Sequence, residues 1–458
     1  MELRDYQDDL LDQCRRKIKQ GYRAPIVQVS TGGGKTPIAA KICQGIHERG
    51  KSAMFLAHRD SLITQGSLTL DRCGIPHGRI QAGYSNSNDK IQVASVKTLV
   101  NHLDEYQAPD FIIVDECHHH LPTNQWGQIS ERYGSIVIGF TATPYRLDGK
   151  GLGVKSGGIF DSMIVGPPML DLIARGFLVP LKLYGPAKRL KAEQLKIVNG
   201  EYTRKSLDSL HSKPELIGDA VSHWFKFASG CRTLVFCHSI IMAELVRDQF
   251  QLMGITSETI TGNDSRDEQK RKITMLGTGH IMVLTSVDVV SEGTDIPSVD
   301  CGIMMRPTAS LSLYLQQAGR IMRVSEGKTN GILLDMVGNI SRHGFPHTER
   351  EWNLNPVESV NATGRSASVP VVKQCVKCFQ IFASGLVCPW CGHVHEGKEL
   401  HQTKGELEEI KQLEIDRKIL IKRRKWAVKS YQDCLDIENE FEYEKGWARM
   451  YWNNKKRR

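Results

Sequence analysis

A chain of 458 residues has room for roughly three folding units of ordinary size. A hydrophobic fraction of 40%, 24% charged residues and 41 Gly against 17 Pro exclude a fibrous repeat, and exclude disorder over most of the length. The formal net charge of +9 permits a polyanionic partner without specifying one.

Met1-Glu2-Leu3-Arg4-Asp5 has no apolar leader core, and no apolar run reaches the roughly 18 residues of a bilayer span, so a soluble intracellular protein without membrane contact is expected. Eight of the twelve cysteines are scattered, several inside apolar runs, and read as small reduced hydrophobes.

In chain order, short apolar runs at 26–29, 53–57, 91–94, 111–114 and 136–140 have little polar alternation, as strands covered on both faces do. Their spacing leaves room for crossover helices. A glycine-rich stretch at 149–158 reads as a mobile loop or hinge. A second series follows at 233–237, 259–261, 281–285, 302–305 and 331–335, interleaved with helical patterns at 240–253 and 311–321. The fold class is therefore α/β, with two doubly wound parallel sheets in tandem.

The first strand runs into Ser30-Thr31-Gly32-Gly33-Gly34-Lys35-Thr36, followed by a helix-compatible segment. Glycines let backbone N–H groups converge on phosphate oxygens at a helix N-terminus, where the dipole favours anions. Lys35 would reach the β and γ phosphates and the Thr36 hydroxyl would ligate Mg²⁺. Val29 replaces the first glycine of the simple P-loop pattern, so a chance turn stays an alternative on this segment alone. The strand at 111–114 then delivers Asp115 and Glu116 to a sheet edge, where Asp115 can hold Mg²⁺ and Glu116 can position and deprotonate water. A solvated acidic strand end is the plain alternative.

The segments 30–36, Asp115-Glu116-Cys117-His118, Thr141-Ala142-Thr143 and Gln316 to Arg323 resemble motifs I, II, III and VI of superfamily 2 helicases of the DExH branch, with bacterial RadD and related phage helicases nearest in pattern. That branch commonly lacks the first P-loop glycine. The resemblance covers about residues 1–350 and implies two RecA-like lobes that hydrolyse ATP between them. It assigns Arg4 and Gln7, with Tyr6, to adenine recognition, and Thr31, Gly32, Gly33, Gly34, Lys35 and Thr36 to the phosphates. Arg59, Ser95, Thr98, His238 and Thr285 become nucleic-acid contacts, and Gly293 and Asp295 approach the nucleotide. Arg320 and Arg323, three apart and so on one helical face, would neutralise γ-phosphate charge while Gln316 places the water. The implied setting is a bacterial or phage-infected cytoplasm.

Cys375 and Cys378, then Cys388 and Cys391, form two CxxC pairs that suit one tetrahedral Zn²⁺, with a redox pair or disulfides as the alternative. The tail interleaves basic residues with tryptophans, which fits single-strand stacking and fits equally a solvated helix that packs its Trp residues on the lobes.

The expected layout is an ATP-binding lobe at 1–165, a second lobe at 166–350, a linker at 351–370, a zinc ribbon at 371–396 and a basic helical tail at 397–458. The expected function is Mg-ATP hydrolysis coupled to translocation on nucleic acid, DNA before RNA, with unwinding. A double-strand DNA translocase or an RNA helicase without DNA unwinding, and a zinc-dependent nucleic-acid adaptor with a gating ATPase, are the competing readings. A monomer is expected, with the ribbon or tail available to a protein partner.

Overall fold

The computed structural model describes residues 2–85, 87–146, 150–185, 196–198, 201–203, 206–207, 214–290, 299–354, 372–375, 380–383, 387–394, 428, 430–441, 443 and 445–456. The chain divides into two compact units, Met1–His393 and Val394–Arg458.

In the first unit, β1 (Pro25–Gln28), β2 (Ala53–Ala57), β3 (Gly78–Ile80), β4 (Ile91–Ser95), β5 (Phe111–Val114), β6 (Ile136–Thr141) and β7 (Ser162–Val165) form one sheet. Its order is β3-β4-β2-β5-β6-β1-β7, and every pairing is parallel. All residues of β1, β2 and β4 are buried, which is why these runs carry little polar alternation.

A second sheet uses β8 (Leu181–Tyr184) and, beyond a small hairpin of β9 (Ile197–Val198) and β10 (Glu201–Tyr202), the strands β11 (Thr233–Cys237), β12 (Ser257–Ile260), β13 (Val283–Val287), β14 (Cys301–Met304) and β15 (Gly331–Asp335). Its order is β12-β13-β11-β14-β15-β8, again wholly parallel. The two tandem parallel α/β lobes read from the apolar runs are therefore present. The short strands β3, β7 and β8 escape that reading, because each alternates buried with half-exposed positions at a sheet edge.

The glycine-rich stretch does not join the sheets: β7 follows it and pairs with β1. Leu152 within it and Phe160 just after it are fully buried, and the absence of a Cβ at Gly139 makes room for Phe160 and for the Cys117 sulfur. The passage between lobes runs through helix Met169–Ala174, where Leu172, Leu178 and Leu181 belong to one apolar cluster continuous with both lobes.

Beyond β15 the chain returns to the first lobe. Tyr145 Oη donates to the Glu351 carbonyl (2.9 Å), and the Gly153 N–H donates to that of Leu354 (3.2 Å). The hairpin of β16 (Val372–Gln374) and β17 (Ile381–Ala383) then meets the edge strand of the second sheet: Gln380 Nε2 donates to Tyr184 Oη (3.1 Å), and Ile381 enters the core over Gly185. In the second unit, helices Tyr431–Glu440 and Trp447–Lys456 enclose Val428, Cys434, Ile437, Phe441 and Ala448, and Trp447 and Trp452 pack on that small core. Among the described residues no helix is long and apolar enough to cross a membrane.

Candidate nucleotide site and nucleic-acid face

The turn after β1 exists because of its glycines. Gly32 and Gly34 sit at φ of +84° and +83°, in the left-handed region that an L side chain resists. A Cβ on Gly33 would fall 2.8 Å from Val29 Cγ1 and 2.9 Å from the Ser30 carbonyl. Helix Lys35–Glu48 starts directly from Gly34 with no side-chain cap, so its first N–H groups face an anion site. The Thr31 hydroxyl oxygen is buried with no hydrogen-bond partner among the described residues. Orphan donors, a hydroxyl and a lysine around a Cβ-free cradle fit a polyphosphate.

The two predicted acidic and basic poles meet: Lys35 Nζ is paired with Glu116 Oε1, and both side chains are largely buried. Glu116 holds a φ of +50°, which is rare for a non-glycine residue and stores strain at the end of β5. The Asp115 carboxylate accepts the Glu116 N–H (3.0 Å). His118 Nδ1 lies 3.1 Å from Thr141 Oγ1 and 3.4 Å from Glu116 Oε2, joining β5 to the end of β6. Burial above all, and then the Glu116 charge, push the neighbouring Cys117 thiol far above its ordinary range, so it packs rather than reacts.

Upstream, Tyr6 Oη and Gln7 Nε2 both donate to the Gly33 carbonyl, at 2.6 and 3.1 Å, while Gln7 Oε1 accepts the Arg4 N–H (2.9 Å). The Arg4 guanidinium lies 4.3 Å from the centroid of Phe177, whose ring also meets Tyr6. Phe177 went unread, because a single aromatic in a connector carries no local signal.

From the second lobe, helix Leu311–Ile321 reaches the P-loop. The Cα face of Gly319 sits on Thr31, and a Cβ on Gly32 would lie 3.6 Å from the Gly319 carbonyl. Gln316 and Arg320 are buried on this helix. The expectation that Arg320 and Arg323 share a helical face is corrected: the helix ends at Ile321, and Arg323 lies past its C-cap, Met322. There Lys328 Nζ donates to the carbonyls of Ile321 (2.7 Å) and Arg323 (3.0 Å) and takes over the chain direction.

On the other face, Arg59 Nη1 donates to the Asp288 carbonyl of the second lobe (3.0 Å), and Asp60 pairs with Arg266 across the same gap. Ser95 closes β4 and is buried, Thr98 is half-buried in the turn that follows, and His238 is buried after β11. Thr285 is a correction: it is wholly buried within β13, its hydroxyl bonded to that of Thr259 (2.8 Å), so it presents nothing to a strand of nucleic acid in this arrangement. Gly293, Asp295 and Cys378 lie outside the described residues.

The Sγ atoms of Cys375, Cys388 and Cys391 lie within 4.8 Å of one another. A turn in which the Cys388 N–H donates to the His393 carbonyl (2.9 Å) holds two of them in place. Three converging thiols without a disulfide are the donor set of a soft divalent ion such as Zn²⁺. The scattered thiols behave otherwise: burial pushes those of Cys14 and Cys43 up to about 12.

Two family models match the chain: type III restriction enzyme, res subunit, over residues 1–146, and helicase conserved C-terminal domain over 212–325. A 51.5 kDa protein of a Lactococcus phage (isolate 7-9) is 30% identical over 87% of this chain and 85% of its own length. IRC3 of Saccharomyces cerevisiae is 27% identical over 73% of this chain, which spans only 51% of that relative. The solved structure of LlaBIII, an ATP-dependent type ISP restriction-modification enzyme bound to DNA, superposes with a TM-score of 0.53 at 17% identity, covering 73% of this chain and 27% of that one.

Proposed function

The chain belongs to the superfamily 2 helicases, nucleic-acid-dependent ATPases, and from that premise we propose that it hydrolyses Mg-ATP between its two lobes to translocate on DNA and unwind it. One observation carries this reading: the helix bearing Gln316 and Arg320 packs through Gly319 directly on the P-loop residue Thr31, so phosphate-binding and charge-neutralising groups converge on one cleft.

Mg²⁺, when bound, would be held by Thr36 and Asp115 and would offset negative charge on the β and γ phosphates. The chain's own groups do the rest. A triphosphate draws Lys35 away from Glu116, and the freed carboxylate takes a proton from the water that Gln316 orients. That water forms the new bond to γ-phosphorus while the bond to the ADP oxygen breaks. Arg320 and Arg323 stabilise the charge developing there. Loss of the γ-phosphate removes the bridge between lobes, and their reopening moves bound nucleic acid.

DNA is favoured because LlaBIII, a restriction-modification enzyme of similar fold, was solved bound to DNA. The cluster of Cys375, Cys388 and Cys391 is assigned to structural zinc, with Cys378 of the first CxxC pair as the fourth ligand on its sequence spacing. Lys35→Ala and Glu116→Gln should each abolish DNA-stimulated ATP hydrolysis while leaving the fold intact. Unchanged turnover in both would remove the assignment. Tailed-duplex unwinding compared with triplex displacement separates unwinding from translocation alone.

A further inference from the structure

We propose that His119 is a positioning residue that relays occupancy of the nucleic-acid face to the hydrolytic carboxylate, an inference that rests on the ATPase reading above. Four contacts in series join Arg59 to Glu116. Arg59 Nε donates to His58 Nε2 (3.3 Å). The His58 and His119 rings meet edge to face, with centroids 4.8 Å apart. The His119 and His118 rings follow at 4.2 Å, tilted by 43°. His118 Nδ1 then lies 3.4 Å from Glu116 Oε2. Buried Trp126 stands behind His58, with centroids 6.3 Å apart, and leaves that ring little room to recoil.

Both ends of this series have two available states. Arg59 holds the Asp288 carbonyl of the second lobe, a partner that a phosphate diester would displace because it offers a full negative charge to the same guanidinium. Glu116 is held by Lys35 in a strained backbone conformation and is released when phosphate takes the ammonium. When Arg59 turns to a phosphate, His58 loses that hydrogen bond and its ring reorients against His119 and Trp126. In close-packed surroundings that rotation passes to His119 and His118 rather than being absorbed. The His119 ring meets those of His58 and His118, and its backbone N–H donates to the Glu116 carbonyl (3.1 Å), a bond that a side-chain substitution at 119 leaves in place.

The experiment is steady-state ATP hydrolysis by the full chain, with and without a single-stranded oligonucleotide, beside oligonucleotide binding by fluorescence anisotropy. For His119→Ala we expect unstimulated hydrolysis and oligonucleotide Kd within about two-fold of wild type, with stimulated kcat falling to near the unstimulated rate. His119→Phe, which restores a ring between His58 and His118, should recover at least about half of the stimulation. Full stimulation in His119→Ala overturns the proposal, as does an equal loss of stimulated and unstimulated rates. If the alanine variant does not fold, a folded His119→Phe that lacks stimulation overturns it, and one that retains stimulation supports the ring contact. Wild-type protein that no oligonucleotide stimulates would remove the ATPase reading itself, and the relay with it.

Discussion

Gly319 rests on Thr31 so closely that a Cβ at position 319 would lie 2.6 Å from Thr31 Cβ, inside van der Waals contact. The second lobe therefore touches the P-loop through a residue that has no side chain. Gly319→Val should wedge the cleft apart and lower stimulated kcat at least about 10-fold, equivalent to about 1.4 kcal/mol. Thr31→Ala in the same chain should return part of that loss, since it removes the clashing methyl. Additive losses in the double variant would show that the contact is not what limits turnover.

Gln7 braces the P-loop from behind through the Gly33 carbonyl. Gln7→Ala removes this bond and the Arg4 N–H contact, each worth about 1 kcal/mol, so nucleotide KM should rise roughly 5- to 30-fold with kcat less affected. A fall in kcat at constant KM would place Gln7 in the chemical step instead.

Cys388 is 1% exposed, and its sulfur lies within 4.8 Å of those of Cys375 and Cys391. Metal analysis of gently purified protein should give about one zinc per chain, and Cys388→Ser should release it. Because Cys375 is bonded to the hairpin whose Ile381 belongs to the second lobe's core, that variant should also lower the thermal midpoint of the lobe. Metal-free wild type, or a Cys388→Ser protein that retains zinc, contradicts the assignment.

His120 is fully buried, and burial lowers its pKa from 6.5 to about 4. The unfolded chain then binds the extra proton between those values, so the native state holds its advantage above pH 6.5 and loses it as the pH falls towards 4. The loss is about 1.4 kcal/mol per pH unit, to a ceiling of about 3 kcal/mol. Urea midpoints from pH 7 to 5 should fall more steeply for wild type than for His120→Asn. Parallel slopes would mean that other groups set the acid sensitivity.

The glycine turn and the acidic strand end were legible because each is a local pattern. A glycine run between a buried strand and a helix-compatible segment suits a tight anion-binding turn, and two acids at the end of an apolar run emerge at a sheet edge. Thr285 misled because motif position says nothing about burial: its hydroxyl is spent on Thr259 inside the sheet. Arg323 misled because helical spacing was extended past Ile321, where Lys328 gathers the last carbonyls. The ribbon's place against β8 had no precursor in the chain, since Gly185 and Ile381 meet only once the sheet edge exists.

Residue order alone made two parallel α/β layers, a phosphate turn, an acidic strand end and a thiol cluster legible, because each leaves a signature in short stretches of the chain: unalternated apolar runs, a glycine run before a lysine, paired acids and CxxC spacings. Tertiary packing decided that Gly319 covers Thr31, that Phe177 lies beneath Arg4, and that a row of histidines joins Arg59 to Glu116. Those contacts depend on the angle and depth at which separately formed sheets and helices pack together, quantities carried by no short stretch of sequence.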